Sequence, residues 1–436
     1  MSANDGLRET AIWIYHALRI AEPIPLLRQA LLALSMTRHG RVTGNLELIR
    51  RGQRTYGTAL RLLRDALYDR VLTWNDETLA SVRALVLYEF FESNSDNPTA
   101  WYRHLDGITS LASSPMEARG PERTSSSISR SVLEDIRYAL MLKDVMLRKR
   151  SAFGRDDWID LPWCGRAKPI EQQVYDQGFR IAAILERSDL VVQSPTTGHQ
   201  GLRPAIDLLQ TCNDLRPQMD DLFRHTFKPF LQAKSADWTR SLFDKTPDSI
   251  ALTPADINQL TLVVNLWSCM LLMAWIADAL RDRLLDALDA GRIVTKDDVA
   301  HAKDLCEVSS SYTNQCALTD LALAILQYFP LCVGPGASEL AVNRMLFPLT
   351  CILWQFRYSE SHFRKATALM WQISEARNVK FAAPGYSVIA LIPPIARDDG
   401  GLLSNAVDRL TRLRSILGRR RGHESTPRST PSRGPA

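Results

Sequence analysis

The chain has 436 residues, of which 45% are hydrophobic and 23% are charged, and its formal net charge is +5. This composition is typical of folded globular proteins and excludes a collagen-like or wholly disordered chain. The net charge is small for the length, so it does not indicate nucleic-acid binding, which usually requires many basic residues on one face.

The N-terminal residues and the cysteines bear on the cellular compartment. The first residues are polar or acidic and no basic segment precedes an apolar run, so we expect no secretory signal. The 7 cysteines lack the close pairs of structural zinc sites, and most lie in apolar stretches, which is typical of small buried residues in a reducing compartment. The sequence therefore predicts no metal ion and no other cofactor. The cysteines are Cys164, Cys212, Cys269, Cys306, Cys316, Cys332 and Cys351.

The first predicted helices follow the period of an α-helix. Over residues 56–67, apolar side chains recur at i, i+4, i+7 and i+11, while arginines occupy other faces. A second helix is expected after Trp74, with Asn75 as one candidate cap and Thr73 with Asp76 as a competing capping box. The predicted inner faces are Leu79, Val82, Val86 and Phe90 in this helix, and Trp101, Leu105, Ile108 and Ala112 in the next, which begins at Pro98.

Two segments interrupt the helical pattern. Residues 113–129 are rich in Ser, Pro, Gly and charge, which predicts a loop and the best internal boundary. Residues 158–169 contain prolines and a glycine, which predicts an ordered, aromatic-rich loop. We therefore expect helical parts at residues 1–115 and 130–400, a terminal amphipathic helix at 401–418 and a disordered basic tail at 419–436.

Helical periodicity also dominates the second half, and strand signals are scarce. The only extended candidates are residues 190–193 and 387–392. Residues 260–277 are apolar enough to cross a bilayer, but their neighbours are amphipathic, so we predict a buried core helix and no membrane contact. The other helices are expected at residues 171–186, 205–225, 254–288, 296–328, 337–357 and 362–376.

Several motifs follow one another in a collinear series. The series contains the helix at 56–67, Asp76-Glu-Thr-Leu-Ala, Leu85-Val-Leu-Tyr-Glu-Phe, Trp101-Tyr-Arg-His-Leu-Asp-Gly-Ile, Arg119-Gly-Pro121, Phe153 with Asp157-Trp158 and Pro162-Trp163, and Leu346-Phe-Pro-Leu349 with the helices up to Arg377. Over residues 25–385 this series resembles the fungal-specific transcription factor domain, the regulatory region of fungal zinc binuclear cluster transcription factors. The resemblance implies an all-α fold built as one large multi-helix regulatory domain.

The chain departs from this family in one respect. Members usually begin with a motif of six cysteines that binds two zinc ions and places a helix in the DNA major groove. The first 150 residues contain no cysteine. Two explanations stay open: a regulator that acts through protein partners without sequence-specific DNA binding of its own, or a DNA-binding activator whose zinc cluster is missing from this gene model.

A search for catalytic residues finds no group with the spacing that a catalytic site requires. A class I terpene synthase needs carboxylates one helical turn apart to hold magnesium, but the aspartate pairs at 156–157, 220–221, 297–298 and 398–399 lack a third carboxylate at that spacing. We interpret these pairs as helix caps or solvated turns. His104 lies beside Trp101 and Leu105, where a surface or hydrogen-bonded histidine is expected rather than a base. No enzyme activity is predicted.

The C-terminal segment combines a leucine stripe with clustered arginines. It is open to three interpretations: a solvated terminal helix, a nuclear import signal, or a contact with a membrane surface or nucleic acid. The family resemblance favours import, and the candidate import residues are Arg412, Arg414, Arg419, Arg420 and Arg421.

Together these observations favour a nuclear transcription regulator that contacts other regulators or the transcription machinery, and a specific metabolic or secondary-metabolite gene set is one target we consider. Whether it forms a homodimer or a heterodimer stays open. The alternative hypothesis is a cytoplasmic helical scaffold.

Overall fold

A computed structural model describes residues 12–69, 75–92, 99–119, 127–163, 166–193, 199–234, 252–292, 295–334 and 337–377. Helices account for most of these residues and none of the described residues lies in a strand, which confirms the all-α prediction. The strand expected at residues 190–193 is wrong, because these residues form the end of a helix. The second strand candidate, the terminal helix at 401–418 and the basic tail lie outside the described residues.

The helices before residue 148 form the first half of the fold. The loop predicted at residues 113–129 is shorter than expected, because helix extends through Arg119 and resumes at Ser127. In chain order the helices are α1 (Ile12–Ile20), α2 (Pro25–Thr43), α3 (Leu46–Tyr68), α4 (Asp76–Glu92), α5 (Thr99–Arg119) and α6 (Ser127–Leu147).

The second half contains the longest helix and several short turns. The aromatic-rich loop predicted at 158–169 is partly helical, because a short helix ends at Asp160 and a 3-10 turn follows at Leu161–Trp163. Another 3-10 turn at Ala152–Gly154 precedes this segment. The helices are α7 (Asp156–Asp160), α8 (Ile170–Gln193), α9 (His199–Leu222), α10 (Pro254–Asp289), α11 (Lys296–Thr313), α12 (Gln315–Val333), α13 (Glu339–Asn343), α14 (Leu346–Gln355) and α15 (Glu360–Arg377), and a π turn at Phe223–Phe227 extends α9.

Two predicted long helices are divided by specific backbone features. The helix expected at residues 296–328 breaks at Asn314, whose side-chain oxygen accepts a hydrogen bond from the backbone N–H of Cys316 at 2.8 Å and thereby caps α12. The helix expected at 337–357 is interrupted by a turn at residues 344–345. A cap residue inside an apolar period therefore marks a helix boundary that periodicity alone does not show.

Helices α2 and α3 form a tight antiparallel hairpin. Asn45 caps α3 by accepting a hydrogen bond from the Leu48 N–H at 3.1 Å. The two helices approach closely at Gly52, where an added Cβ would lie 2.0 Å from the Thr37 hydroxyl oxygen. A glycine at this position is thus required by packing, since any side chain would collide with α2.

Helix α4 is the core helix of the first half. Its N-terminus is capped by Asn75, which accepts a hydrogen bond from the Thr78 N–H at 2.8 Å. Val82, Val86 and Phe90 of the predicted inner face are buried, whereas Leu79 is only half-buried. Burial extends beyond the predicted face, because Ala84 and Leu85 are as buried as Val86. Contacts from α1, α2, α3, α5 and α6 surround this helix.

Helix α10 is the core helix of the second half. A capping box at Thr253 and Asp256 begins it, and α8, α9, α11, α12 and α14 pack around it. It is long and apolar enough to cross a membrane, but its most apolar window is 100% buried inside the fold, as predicted for a core helix. The α11–α12 segment passes the same length and composition test, with 39% of its window buried.

Candidate functional site

A polar cluster joins α3, α4 and α5. The Tyr56 hydroxyl donates a short hydrogen bond to the Glu89 carboxylate and lies 3.1 Å from His104 Nε2. The Tyr56 ring stacks on Tyr88 with centroids 4.1 Å apart. Burial raises the pKa of the Tyr56 phenol, and lowers the pKa of the His104 imidazole. The histidine is thus a hydrogen-bonded structural group, as the sequence indicated.

The aromatic residues of the segment between α6 and α8 come together around a small cavity. The Phe153 and Trp158 rings lie 4.6 Å apart, and the Arg166 guanidinium lies 4.6 Å above the Trp163 ring. Arg166 also forms a 3.0 Å ion pair with Glu134. The sequence predicted an ordered aromatic segment here, and these contacts confirm it.

The cavity between these aromatic residues and α6 has a volume of about 10 Å³. A space of this size holds a single water molecule. Its lining includes Arg137 and Trp163, and the Nε and Nη1 of Arg137 and the Nε1 of Trp163 are buried without a hydrogen-bond partner among the described residues. The lining therefore offers donors to one hydrogen-bond acceptor, and the space is too small for an organic cofactor.

Behind this cavity a chain of charges, buried at Arg137 and Asp176 and exposed at Asp160, connects α6 to α8. Arg137 pairs with Asp176, and Lys168 joins Asp176 at 2.7 Å and Asp160 at 2.9 Å. Burial raises the pKa of the Asp176 carboxyl, although Arg137 and Lys168 act in the opposite direction. The pairs hold the two helices in one register, because a buried charge without its partner is costly.

A second polar contact ties α8 to the later helices. Arg344, which is buried, donates a 3.0 Å hydrogen bond to the Asn258 side chain at the start of α10 and lies 5.8 Å from the Tyr175 ring centroid. Asn265 of α10 donates a 3.0 Å hydrogen bond to the Arg344 carbonyl oxygen. The residues around Tyr175 therefore share one core with residues more than 150 positions further along the chain.

The aspartate pair at 297–298 lies in the first turn of α11, as predicted for a helix cap, whereas the pair at 220–221 lies inside α9, so the predicted cap or solvated turn is wrong there. Asp220 pairs with Arg216 at 2.9 Å and Asp221 pairs with Arg224 at 2.7 Å. The Asp298 N–H donates a hydrogen bond to the Thr295 hydroxyl at the start of α11. Among the described residues, no three His, Cys, Asp or Glu side chains are grouped so that they could hold a metal ion. The pair at 398–399 lies outside the described residues.

The cysteines are mostly buried, as predicted. Burial raises the pKa of the Cys212, Cys269 and Cys332 thiols to about 12, so these thiols are protonated and poor nucleophiles. Cys316 is the exception, because it lies exposed at the start of α12. Cys164 is not among the described residues.

The structure does not test the candidate import residues. Arg412, Arg414, Arg419, Arg420 and Arg421 all lie beyond residue 377, outside the described part of the chain. The buried arginines were missed from the sequence, although Arg137 follows the apolar Ile136 directly and thus lies beside the predicted stripe of α6.

Residues 10–180 match the family model of the fungal specific transcription factor domain. The match confirms the resemblance over these residues, which include α1 to α7, the aromatic cavity and the Arg137–Asp176 pair. The first part of the chain is therefore similar to the fungal specific transcription factor domain, and this similarity supports a role in transcription regulation. Comparisons with curated proteins and with solved structures gave no match.

Proposed function

We propose that this protein regulates transcription in the nucleus by contacting other regulators or the transcription machinery. The observation that carries the proposal is the match of residues 10–180 to the fungal specific transcription factor domain. The buried ion pairs Arg83–Asp135 and Arg137–Asp176 and the cap at Asn75 hold helices together, which is consistent with a binding role. A specific metabolic or secondary-metabolite gene set is the proposed target.

We further propose that sequence-specific DNA contact is supplied by a partner. The cysteines of these 436 residues do not have the paired spacing of a zinc cluster, and the described cysteines are distributed over five helices. A zinc-cluster protein that pairs with this chain as a heterodimer would provide that contact. The import of the complex would rest on Arg412, Arg414, Arg419, Arg420 and Arg421 of this chain.

Localisation and transcript levels test the proposal together. A fluorescently tagged chain is expected in the nucleus, and deletion is expected to change a limited set of transcripts. Changing Arg419, Arg420 and Arg421 to Ala should move the protein toward the cytoplasm, because a cluster of basic residues is what import receptors recognise. The control replaces three exposed arginines of the helical body, Arg28, Arg203 and Arg364, by Ala, and this variant should stay nuclear.

Two results would contradict the proposal. A wild-type chain confined to the cytoplasm, with unchanged transcripts after deletion, would favour the cytoplasmic scaffold. A triple tail variant that stays nuclear would show that import does not depend on these arginines.

A further inference from the structure

The solvent-exposed side of α3 carries a regular series of arginine side chains. At about 100° per residue, one side of this helix carries the buried Ile49, Gly52, Ala59, Leu63 and Ala66. The opposite side is exposed to solvent. This surface, the α3 outer face, contains Leu46, Arg50, Gln53, Arg54, Gly57, Arg61, Arg64 and Tyr68.

The α3 outer face is nearly symmetric about Gly57. Leu46 and Tyr68 lie 11 residues before and after this glycine, and Arg50 and Arg64 lie 7 residues before and after it. Arg54 and Arg61 flank the glycine directly, one turn away on each side. The face is therefore a row of four arginines with a glycine at its centre and an apolar side chain at each end, and it is about 33 Å long.

The arginines of this face are only partly neutralised within the protein. Arg54 pairs with Glu47 at 3.2 Å and Arg64 pairs with Asp65 at 2.9 Å, and both pairs are exposed to solvent, where ion pairs are weak. No ion pair joins Arg50 or Arg61 to a carboxylate of the described residues. The face thus presents excess positive charge to any partner.

Gly57 has no packing role among the described residues. An added Cβ at this position would meet none of their heavy atoms within 4 Å, in contrast to Gly52 one and a half turns earlier. Glycine in the middle of a helix is less favourable than alanine, so the fold alone does not explain it. A glycine between four long side chains allows the backbone of a partner to approach α3 closely at the centre of the face.

The two ends of the face distinguish the classes of partner. Leu46 is 65% exposed and Tyr68 is 84% exposed, and such apolar ends fit a protein surface rather than a phosphate backbone. A second copy of the same face is excluded by charge, because arginines would meet arginines.

We propose that the α3 outer face docks an acidic amphipathic helix of a protein partner. Glutamates or aspartates of that helix would pair with the four arginines, its backbone would cross at Gly57, and apolar side chains would cover Leu46 and Tyr68. The proposal rests on the proposed function, since it specifies the chemistry of the partner through which the regulator acts.

The test measures binding of a labelled synthetic peptide to the full chain by fluorescence polarisation. The peptide is a 22-residue helix former with glutamates along one face and a leucine near each end. A scrambled peptide of the same composition distributes the glutamates around the helix. We expect the scrambled peptide, and a 20-base-pair duplex DNA, to bind at least tenfold more weakly than the ordered peptide.

Two variants of the chain then probe the face. Replacement of Arg50, Arg54, Arg61 and Arg64 by Glu should reduce the affinity for the ordered peptide at least tenfold. Gly57→Trp should have an effect of similar size with every charge retained, because the indole blocks the close approach. Circular dichroism and thermal unfolding check that both variants keep the wild-type fold, which is expected because all five positions are exposed.

A matched control variant carries the same change in net charge at four arginines outside the α3 outer face. Replacement of Arg28, Arg203, Arg224 and Arg364 by Glu should leave peptide binding within twofold of wild type. Equal losses in the control and the α3 variants would show non-specific attraction and overturn the proposal. Tighter binding of the duplex DNA, dependent on the same arginines, would overturn it in favour of a nucleic-acid surface, and unchanged binding by the Gly57 variant would exclude a backbone crossing there.

The failure of this proposal is distinguishable from failure of the proposed function. If the ordered peptide does not bind but deletion of the protein still alters transcripts, only the docking surface is wrong. If the wild-type chain stays in the cytoplasm and deletion leaves transcripts unchanged, the proposed function is wrong whatever the peptide does.

Discussion

Arg137 of α6 and Asp176 of α8 form an ion pair whose side chains are 1% and 5% exposed. Two charges removed from water in this way depend on each other, because either one alone is left in a medium that solvates it poorly. Asp176→Asn should therefore lower the free energy of unfolding by about 3 to 5 kcal/mol. Urea denaturation of the purified chain measures this loss.

The double variant Arg137→Met with Asp176→Leu gives the matched comparison. Because it removes both charges, it should be clearly more stable than the single variant. A single variant as stable as the wild type would show that the pair does not constrain α6 against α8.

The Asp144 carboxyl on α6 should make stability depend on pH. It is buried and accepts a hydrogen bond from the Ser151 N–H at 2.9 Å, and burial raises its pKa to about 6 from the ordinary 3.8. The folded state therefore binds this proton more tightly than the unfolded state does, so the stabilisation is present below pH 4 and is lost as the pH rises through 6. Unfolding free energies at several pH values from 4 to 7 should show this decrease, and Asp144→Asn should remove that part of the dependence.

His104 should act in the opposite direction. Burial lowers the pKa of its imidazole from the ordinary value of 6.5, so the unfolded state takes up a proton more readily than the folded state. Stability should therefore fall as the pH drops below 6.5. The His104→Asn variant is the control. If its free energy of unfolding falls by the same amount as that of the wild type between pH 6.5 and 5.5, His104 is not the source of the decrease.

Gly52 and Gly57 of α3 give a paired prediction on packing. Gly52→Ala should destabilise the protein by about 1 to 3 kcal/mol, because its Cβ would overlap Thr37 of the neighbouring helix. Gly57→Ala should stabilise it by about 0.5 to 1 kcal/mol, because the methyl group points into open space and alanine favours the helix. Thermal unfolding of both variants checks the signs, and equal effects would contradict the close approach of α2 and α3.

The sequence predicts those parts of the fold in which periodicity and burial agree. The apolar run of α10 is visible from spacing alone. The stripe predicted for α3 is only partly buried, because Leu63 is buried, Tyr56 and Leu60 are half-buried and Leu67 is exposed. The burial of α4 on several sides is not visible from spacing, because residues such as Ala84 and Arg83 are buried only once five other helices surround them. Residues 190–193, an extended candidate in the sequence, form the end of α8. The apolar run Leu190-Val-Val is compatible with a strand or a helix, and it is helical because the preceding helix continues through it.

In the candidate sites, too, the contacts that depend on how the helices pack cannot be predicted from the sequence. The aromatic segment around Trp158 and Trp163 could be predicted as ordered, because aromatic residues in a proline-containing loop are seldom left in solvent. The pairing of Arg137 with Asp176 could not, since it depends on the rotation of α6 against α8. The arginine row of α3 was present in the sequence as a spacing of 4, 7 and 3 residues, but its exposure is a property of the packed fold.

The most direct test of the regulatory role is to tether the full chain to a promoter through a foreign DNA-binding domain and to measure reporter output. If the chain regulates transcription through protein partners, the tethered protein should change reporter output relative to the DNA-binding domain alone, whereas the untethered chain should give no salt-sensitive, sequence-specific shift of DNA fragments. Reporter output equal to that of the DNA-binding domain alone, at matched protein levels in the nucleus, would contradict the account.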